Sequence, residues 1–433
     1  TNMQNAKSAY DSEDAFNEDM QRSYLTEEIY EKMFTRAQTY NKVMDTLFYN
    51  DGIYATKHED FLKLVQDPEE YAHEVHIMIP FYSQVELDDS TAAEYDSMTL
   101  SQKIGAKGAA YSALDDDAKE AAKEAAKKVA EEAFLNRKPG ALLNGRASIE
   151  NGLQSKRPFP DKHEVLTRLR FVPADGSKET WLINVGAHPN SLGGSNRMLS
   201  GEYPYFMRET IKERTGADVH FGIGPIGGMD AAEFDGKDPV NCIKLQANFF
   251  AEAAMGIKDE TPLAPEIRFI RRRFYLPVDN NVLAFLAIRG TMSFHPFPDP
   301  TAATGLCMQT EMTYMTIGEQ KLLFLPGESF VTTVYGGYFD AEHSATGKGA
   351  EINPTPLAKL AGDENLIVYG VTNDMTGYSI EPNQFILKPG QPYLDTARDR
   401  FDERHYHETN SMGPRTATVI AETFGEVLED FGA

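Results

Sequence analysis

The segment from Trp181 to Asp230 constrains the fold of this chain more than any other. It contains an apolar run at 181–185, a polar loop at 186–194, a helical pattern at 203–214 that Gly216 ends, a second apolar run at 218–222 and a glycine-rich loop at 222–230. A lone histidine, His188, stands where the first apolar run gives way to the loop. Loops at strand ends are positioned by a rigid scaffold and often carry functional groups. The segment therefore predicts a strand–helix–strand unit that holds a candidate site.

Neighbouring segments add strands to this unit. The run 165–172 is followed by the turn signal Asp175-Gly176 and predicts a hairpin with the strand at 180–185. Three further strand regions and a closing helix are predicted at 266–294, 311–325, 366–372 and 414–431. Because strands dominate the middle of the chain and include a hairpin, we expect an α/β fold of the mixed α+β kind. Its mixed and antiparallel β-sheets would be flanked by helices, unlike a doubly wound parallel sheet.

The N-terminal part carries helical patterns but no chemical motif. Apolar residues recur at helical spacing within 26–40 and 58–71, and an alanine-rich helix is predicted at 112–135. We expect two domains, a helical N-terminal extension or insertion over 1–95 and a domain with the candidate site over 96–433. Since the chain begins at Thr1 and not at Met, we expect that an upstream segment has been removed, and such a segment is a candidate to complete the site.

The charge balance argues against two classes of partner. Lys and Arg total 42 against 66 Asp and Glu, a net charge of −24, and such a surface repels nucleic-acid phosphates and anionic lipid headgroups. No apolar run approaches the roughly 18 residues that a membrane-spanning helix needs. The two cysteines, Cys242 and Cys307, are too few for a disulfide scaffold or a cysteine-rich zinc site. We therefore expect no nucleic-acid partner and no transmembrane segment.

Polar side chains follow three strands; the first two suit metal binding, and the third belongs to a hydrogen-bonding loop. His188 follows the first strand of the segment above, Glu328 follows an apolar run that Pro326-Gly327 ends, and Tyr378 follows the strand predicted at 366–372. Imidazole and carboxylate groups are common zinc ligands, and Glu328 could also act as a base. Each residue has an ordinary structural interpretation as well: a hydrogen-bonded histidine, a turn carboxylate and a half-buried tyrosine. The residues alone leave both interpretations open.

The glycine-rich loop matches a dinucleotide-binding pattern in sequence but lacks the structural context that this pattern requires. Gly222, Gly224 and Gly227 satisfy GxGxxG, but Pro225 interrupts the loop and no apolar-periodic helix follows directly. We interpret the loop as one that lets the backbone approach a ligand closely.

Other histidines give weaker signals. His405 and His407 lie at i and i+2, on one face of an extended segment. A metallopeptidase-like site at this pair is a third hypothesis, and the ordinary interpretation is a loop feature. His295 and His343 are similar spare histidines. The chain contains no GxSxG and no HExxH motif, which removes the commonest serine-hydrolase and zincin interpretations.

Several short motifs follow the alanine-rich helix in a fixed order. They are Ser155–Pro158, Gly186–Pro189, Leu199–Tyr205, Gly224–Asp230, Phe324–Glu328, Thr372–Tyr378 and His407–Pro414. Their order resembles the neutral/alkaline ceramidase family over roughly residues 105–433. The resemblance implies a ceramidase-like catalytic fold, an amide hydrolase with one zinc ion, and a lipid-like or other small-molecule amide as substrate. It also implies a role in lipid metabolism and a secreted or cell-surface location, with the cytoplasm as the alternative.

The resemblance also implies a set of site residues. The family holds its zinc with two histidines, a glutamate and a tyrosine. Position by position, His188 is similar to the second histidine, Glu328 to the glutamate and Tyr378 to the tyrosine. A zinc-activated water suits amide cleavage. By the same resemblance, Asp230 would face the substrate and orient water, and Arg157 would bind an anionic group of the substrate.

Departures from the family pattern keep a second hypothesis open. The family's first zinc histidine lies in a THTHSGP-like segment before the alanine-rich helix; this chain has none, and Thr1–Asn5 is a candidate remnant. Ceramide-cleaving members carry a serine where this chain has Asp230. The family's C-terminal immunoglobulin-like domain has no counterpart in this sequence. The leading hypothesis is a zinc-dependent hydrolase of an amide or related bond, and the alternative is a non-catalytic ceramidase-fold binding or cell-surface protein.

Overall fold

The computed structural model describes residues 135–157, 162–193, 200–288 and 296–432. Its strands are β1 Gly140–Ser148, β2 Leu153–Ser155, β3 Val165–Pro173, β4 Thr180–Val185, β5 Asp218–Ile223, β6 Met229–Ala231, β7 Glu260–Pro262, β8 Ile267–Pro277, β9 Pro296–Pro298, β10 Leu306–Ile317, β11 Gln320–Phe324, β12 Glu328–Ser329, β13 Ile367–Tyr369, β14 Tyr378–Ser379, β15 Ala397–Arg398 and β16 Arg404–His405. Its α-helices are α1 Glu202–Thr215, α2 Pro239–Gly256, α3 Asn281–Ile288, α4 Val331–Tyr335, α5 Leu357–Leu360 and α6 Thr416–Phe431. Short 3-10 helices lie at Ala350–Ile352, Pro382–Gln384 and His407–Asn410.

Two five-stranded sheets form the centre of the fold. The first has the order β5-β4-β3-β1-β7 and is parallel only between β4 and β5. The second has the order β13-β11-β10-β8, with β9 also paired to β10, and is parallel only between β11 and β13. Helix α1 supplies the crossover that the parallel pair β4–β5 requires. The predicted mixed α/β fold is confirmed, including the antiparallel pairing of β3 with β4.

The two sheets pack face to face because the faces that meet are apolar. In β4, Trp181 and Ile183 pack against α1 and α2, whereas Leu182 points the other way and packs with Leu322 and Ile367 of the second sheet. Alternate residues of a strand point to opposite faces. The outer face of the second sheet is covered by α5 and α6. The described core is therefore built of four layers, in the order helices, sheet, sheet, helices.

Two helices depart from the sequence prediction. The region predicted as strand at 266–294 contains β8 but also helix α3, which begins where Asn280 Oδ1 accepts hydrogen bonds from Val282 N and Leu283 N at 3.0 and 3.1 Å. A short apolar run does not distinguish strand from helix, so the capping asparagine decides. Helix α2 was not predicted, although Asp238 caps it and a proline follows at its first position.

Some predictions fall outside the described residues. The helices predicted at 26–40 and 58–71, all of the helix predicted at 112–135 except Leu135, the segment Thr1–Asn5 and His295 belong to this group. The division into domains at 95/96 therefore stays a prediction. From Pro139 onward the described residues belong to one compact unit. No helix among the described residues is long and apolar enough to cross a membrane.

Candidate functional site

His188 lies in the loop that leaves the first sheet at the end of β4. Its backbone N–H donates to the carbonyl oxygen of Met229 at 2.9 Å, and it forms a parallel bridge with Asp230. The loop after β4 is thereby held against β6, the short strand that follows the glycine-rich loop. The His188 side chain is 21% exposed. The sequence prediction of a histidine at a strand end is confirmed in its placement.

Glu328 is placed beside Tyr378 by the pairing of two short strands. Strands β12 and β14 run parallel with Glu328 opposite Tyr378 in register, and Glu328 N donates to the Gly377 carbonyl at 2.9 Å. Gly327 precedes this pair with φ of 67°. A Cβ at that position would lie 2.3 Å from Thr376 Oγ1 and 2.4 Å from the Gly377 oxygen. The turn that brings the two side chains together therefore requires a glycine.

The side chains of His188, Glu328 and Tyr378 converge. His188 Nε2 lies 2.7 Å from Glu328 Oε2, and Tyr378 is hydrogen-bonded to Glu328. Burial, and then the negative charge of Glu328, raise the pKa of Tyr378 well above its usual range. We call the His188–Glu328 contact the open pair. Among the described residues no group of three or more His, Cys, Asp or Glu could hold a metal ion.

Asp230 lies next to the open pair, across the bridge to His188. It is 6% exposed. Lys156 Nζ lies 2.9 Å from its Oδ2, and Asn190 Nδ2 donates to its Oδ1 at 3.2 Å. Neither partner was predicted, although Asn190 stands two residues after His188 and Lys156 lies in one of the short ordered motifs. The two contacts fix the orientation of the carboxylate beside His188.

The glycine-rich loop approaches protein backbone at Gly227. Gly227 N donates to the Ser329 carbonyl at 2.9 Å and bridges Phe330. A Cβ on Gly227 would lie 2.7 Å from Phe330 N. This glycine therefore lets the loop pack directly against the chain just after Glu328. The predicted close approach to a ligand stays a prediction.

Arg157 lies in a buried network of charged groups, which we call the closed network: Arg157, Asp399, His405 and Glu408. Arg157 Nη2 lies 3.1 Å from Glu408 Oε1, and its Nη1 contacts His405 Nδ1. His405 also bonds Glu408 at 2.9 Å and Asp399 at 3.2 Å. The guanidinium stacks over the Phe330 ring, 5.0 Å from its centroid. Arg157 faces protein groups here, and its predicted contact with substrate stays a prediction.

The closed network lowers the pKa of the Glu408 carboxylate. Burial acts to raise the pKa of Glu408, but the positive charge of Arg157 and the hydrogen bond from His405 outweigh it, so that the pKa is lowered. The side chains of His405 and Glu408 are 0% and 1% exposed. The carboxylate is therefore held ionised by its internal partners, in a place that solvent does not reach.

His407 is buried beside Tyr378, although the sequence provided only a weak signal for it as a metal ligand. Its ring centroid lies 4.7 Å from that of Tyr378 and 3.8 Å from that of Tyr406. Neither ring nitrogen has a hydrogen-bond partner among the residues that the structure describes. Burial, followed by the charge of Arg157, lowers the pKa of His407 to about 2, so the ring is neutral. The other described spare, His343, is exposed and paired with Asp340 at 2.8 Å.

Comparisons with known proteins give matches to solved structures, two of which are described here. No family model matches the chain, and no curated protein does. A crystal structure of neutral ceramidase from Pseudomonas aeruginosa is 15% identical, with a TM-score of 0.48, and the match covers 69% of this chain and 53% of that one. A structure described as ceramidase complexed with C2 is 14% identical, with a TM-score of 0.46, and the match covers 69% and 54%.

The chain thus spans about half of the length of the solved structures that it resembles. Both of these structures are described as ceramidases. At this identity and TM-score the similarity carries no conclusion about activity. A proposal about activity therefore depends on the positions of the side chains in the candidate site.

Proposed function

We propose that this protein is a zinc-dependent hydrolase of an amide or related bond, with His188, Glu328 and Tyr378 as the metal ligands. The observation that supports the proposal is the convergence of these three side chains from three separate strand ends. His188 Nε2 and Glu328 Oε2 are 2.7 Å apart, and Tyr378 is hydrogen-bonded to the same carboxylate. The substrate would be a lipid-like or other small-molecule amide, and the protein would act outside the cell or at its surface.

The donor set fits zinc in chemical type. One imidazole nitrogen and two oxygens match the ligands that zinc commonly takes, and three protein ligands are typical of sites that leave a position open. Zinc, when bound, supplies Lewis-acid chemistry that polarises a carbonyl and acidifies a nearby water. Because burial and Glu328 keep the hydroxyl of Tyr378 protonated, ligation by this tyrosine would release a proton, and zinc affinity would rise with pH.

Asp230 is the proposed proton acceptor and water-orienting group. A carboxylate has about four lone-pair positions, and the contacts with Lys156 and Asn190 occupy one on each oxygen. The others remain to accept a hydrogen bond from a water beside His188. The backbone of His188 is held beside Asp230 by its hydrogen bond to Met229 and by the parallel bridge.

The first experiment is the metal content of the natively purified protein, measured by plasma mass spectrometry. We expect about one zinc ion per chain, by the stoichiometry of a single catalytic site. It would be lost in His188→Ala and in Glu328→Gln. The matched controls are His220→Ala and Glu252→Gln, which change exposed residues of the same types and would keep the metal. A wild-type protein that binds no zinc, or a zinc content that neither site variant reduces, would contradict the proposal.

A non-catalytic binding protein that kept this fold is the alternative. Two observations favour it: His188 and Glu328 satisfy each other directly, and no group of three or more His, Cys, Asp or Glu in the described chain could hold a metal ion. In that case zinc would not bind, and an amide-substrate screen would give no hydrolysis. If an upstream chain supplies a further histidine, zinc would bind only when that chain is present. The third hypothesis, a site at His405 and His407, requires two rings that lie in different surroundings here, one in the closed network and one among aromatic rings.

A further inference from the structure

A cleft on the far side of the closed network lies apart from the open pair. It runs between the segment 386–389, the segment 395–400 and Arg404 of the hairpin β15–β16. Its volume is about 670 Å³. Sites for small organic molecules typically enclose roughly 300–1,000 Å³. The cleft is therefore large enough for a ligand of its own, and the proposed hydrolase site does not use it.

The cleft is basic although the chain as a whole carries a net charge of −24. Four cationic side chains line it: Lys388, Arg398, Arg400 and Arg404. The two acidic lining residues have internal partners, since Asp395 pairs with Lys388 at 2.5 Å and Asp399 bonds the buried His405 at 3.2 Å. A local excess of positive charge on an acidic protein attracts anions to that place.

Two of the arginines keep most of their hydrogen-bond donors available. Arg404 Nε donates to Thr396 Oγ1 at 3.3 Å, and Arg400 donates to the carbonyl of Glu342. Within the described residues neither guanidinium forms an ion pair with a carboxylate, whereas Arg398 pairs with Asp402 at 3.4 Å. A guanidinium offers five donors in a planar fork that matches the oxygens of phosphate or carboxylate. Arg400 and Arg404 are thus the two groups suited to hold an anionic head.

Apart from Thr396, the remaining lining of the cleft is apolar. Ile386, Leu387 and Pro389 supply one wall, and Ala345 and Ala397 add smaller surfaces. An inorganic anion would leave these surfaces in contact with water. We propose that this cleft binds an amphiphilic organic anion, a molecule with a phosphate or carboxylate head at Arg400 and Arg404 and a short apolar body along the wall at Ile386 and Leu387.

The closed network gives the cleft a rigid floor. Asp399 lines the cleft and is tied through His405 to Glu408 and Arg157. Ile386 N also donates to Glu408 Oε1, at 3.5 Å. Groups that are already ordered in the free protein lose little conformational entropy when a ligand binds. The cleft is therefore preorganised on its inner side, while its arginine heads are exposed.

Titration calorimetry on the full chain tests the proposal with three probes: hexyl phosphate, inorganic phosphate and 1-hexanol. Hexyl phosphate should bind at one saturable site. It should bind more tightly than inorganic phosphate, which has only the anionic head, and than 1-hexanol, which has only the apolar body. In Arg400→Gln/Arg404→Gln its affinity should fall at least about tenfold, because charge-assisted hydrogen bonds are lost. The control, Arg271→Gln/Arg273→Gln, removes the same charge from exposed arginines near Glu311 and should keep the affinity. Thermal unfolding of both variants checks that they fold.

The outcomes distinguish a lipid headgroup from a soluble anion. They also distinguish the anion-binding cleft from the proposed zinc site. Equal binding in the cleft variant and the control, or the absence of any saturable site for hexyl phosphate, would overturn the proposal. Co-sedimentation with phosphatidylcholine vesicles that contain phosphatidic acid, lost in the same variant, would assign the anion to a lipid headgroup; binding of free hexyl phosphate without vesicle binding would assign it to a soluble ligand. Since Arg400 and Arg404 lie outside the open pair, zinc content should not change in the cleft variant.

Discussion

Two histidine–glutamate pairs in this protein have the same contact but opposite surroundings. In the open pair, His188 Nε2 lies 2.7 Å from Glu328 Oε2 and the histidine is 21% exposed. In the closed network, His405 Nδ1 lies 2.9 Å from Glu408 Oε1 and the histidine is 0% exposed. Arg157 and Asp399 occupy the other sides of the second pair, whereas the first pair adjoins Tyr378 and keeps a solvent-facing side.

The difference indicates different roles for the same two residue types. A charged group that is fully buried must be compensated by its neighbours, and Arg157 compensates Glu408. Such a network stabilises one arrangement of the chain, and solvent does not reach it. A pair that is partly exposed can exchange its internal hydrogen bond for a ligand at a smaller cost. We therefore assign a structural role to the closed network and the functional role to the open pair.

The largest expected effect is on stability when the closed network is broken. Glu408→Gln removes the negative charge opposite Arg157, whose side chain is 8% exposed. Leaving one partner of a buried ion pair uncompensated typically costs about 3–5 kcal/mol. We expect a loss of that size in the free energy of unfolding, measured by urea denaturation. The control is Glu252→Gln at an exposed pair with Arg214, which should have almost no effect, and a loss equally small in Glu408→Gln would refute the structural role.

The next effect is the response of the open pair to zinc. A ligand that binds only the folded state stabilises it by about 2.7 kcal/mol when its concentration is 100 times Kd. We expect this increase in wild type, seen as a higher Tm in zinc than in EDTA, and its loss in His188→Ala. The variant His220→Ala should respond like wild type. A zinc response that persists without His188 would move the metal site away from the open pair.

Between the two pairs, His407 makes stability depend on pH. Its folded pKa is about 2 against the ordinary value of 6.5. Below pH 6.5 the unfolded chain therefore binds a proton that the folded chain does not, so that stability present above this pH is lost on acidification. The slope is about 1.4 kcal/mol per pH unit, or about 2 kcal/mol between pH 6.5 and 5. In His407→Phe, which keeps an aromatic ring among Tyr378 and Tyr406, the slope of the free energy of unfolding against pH in EDTA should fall by this amount, while His163, whose pKa burial lowers to about 4, keeps its own contribution; an unchanged slope would contradict the assignment.

The open pair was predictable because each of its residues follows an apolar strand. A strand buried on both faces is a continuous apolar run, as in Leu322-Leu323-Phe324-Leu325, and the polar residue that follows it must lie at an edge of the sheet. The runs before His188, Glu328 and Tyr378 all end at one place. Gly327 marks the turn that sets Glu328 opposite Tyr378. Local pattern was therefore enough to mark these strand ends, whereas the family resemblance was needed to name the three side chains as one set of ligands.

The closed network was not predictable from local pattern. Its members come from distant parts of the chain, since Arg157 follows β2 while Asp399 lies between β15 and β16. No spacing rule connects residues whose contact is created by packing, so the contacts of Arg157 with His405 and Glu408 were not predicted. The helical state of 281–288 was missed for a related reason, because its apolar run fits either period and only the Asn280 cap decides.

The smallest expected effect on stability is that of Glu328→Gln, which is the same change in the open pair as Glu408→Gln in the closed network. In Glu328→Gln the amide oxygen can still accept a hydrogen bond from His188, and water can reach the exposed side of the histidine. No buried cation loses its partner, so in EDTA the free energy of unfolding should change by less than about 1 kcal/mol. The same variant should lose the zinc-dependent rise in Tm. If Glu328→Gln without metal costs as much as Glu408→Gln, the open pair supports the fold in the same way as the closed network, and the case for a metal site at Glu328 loses its physical basis.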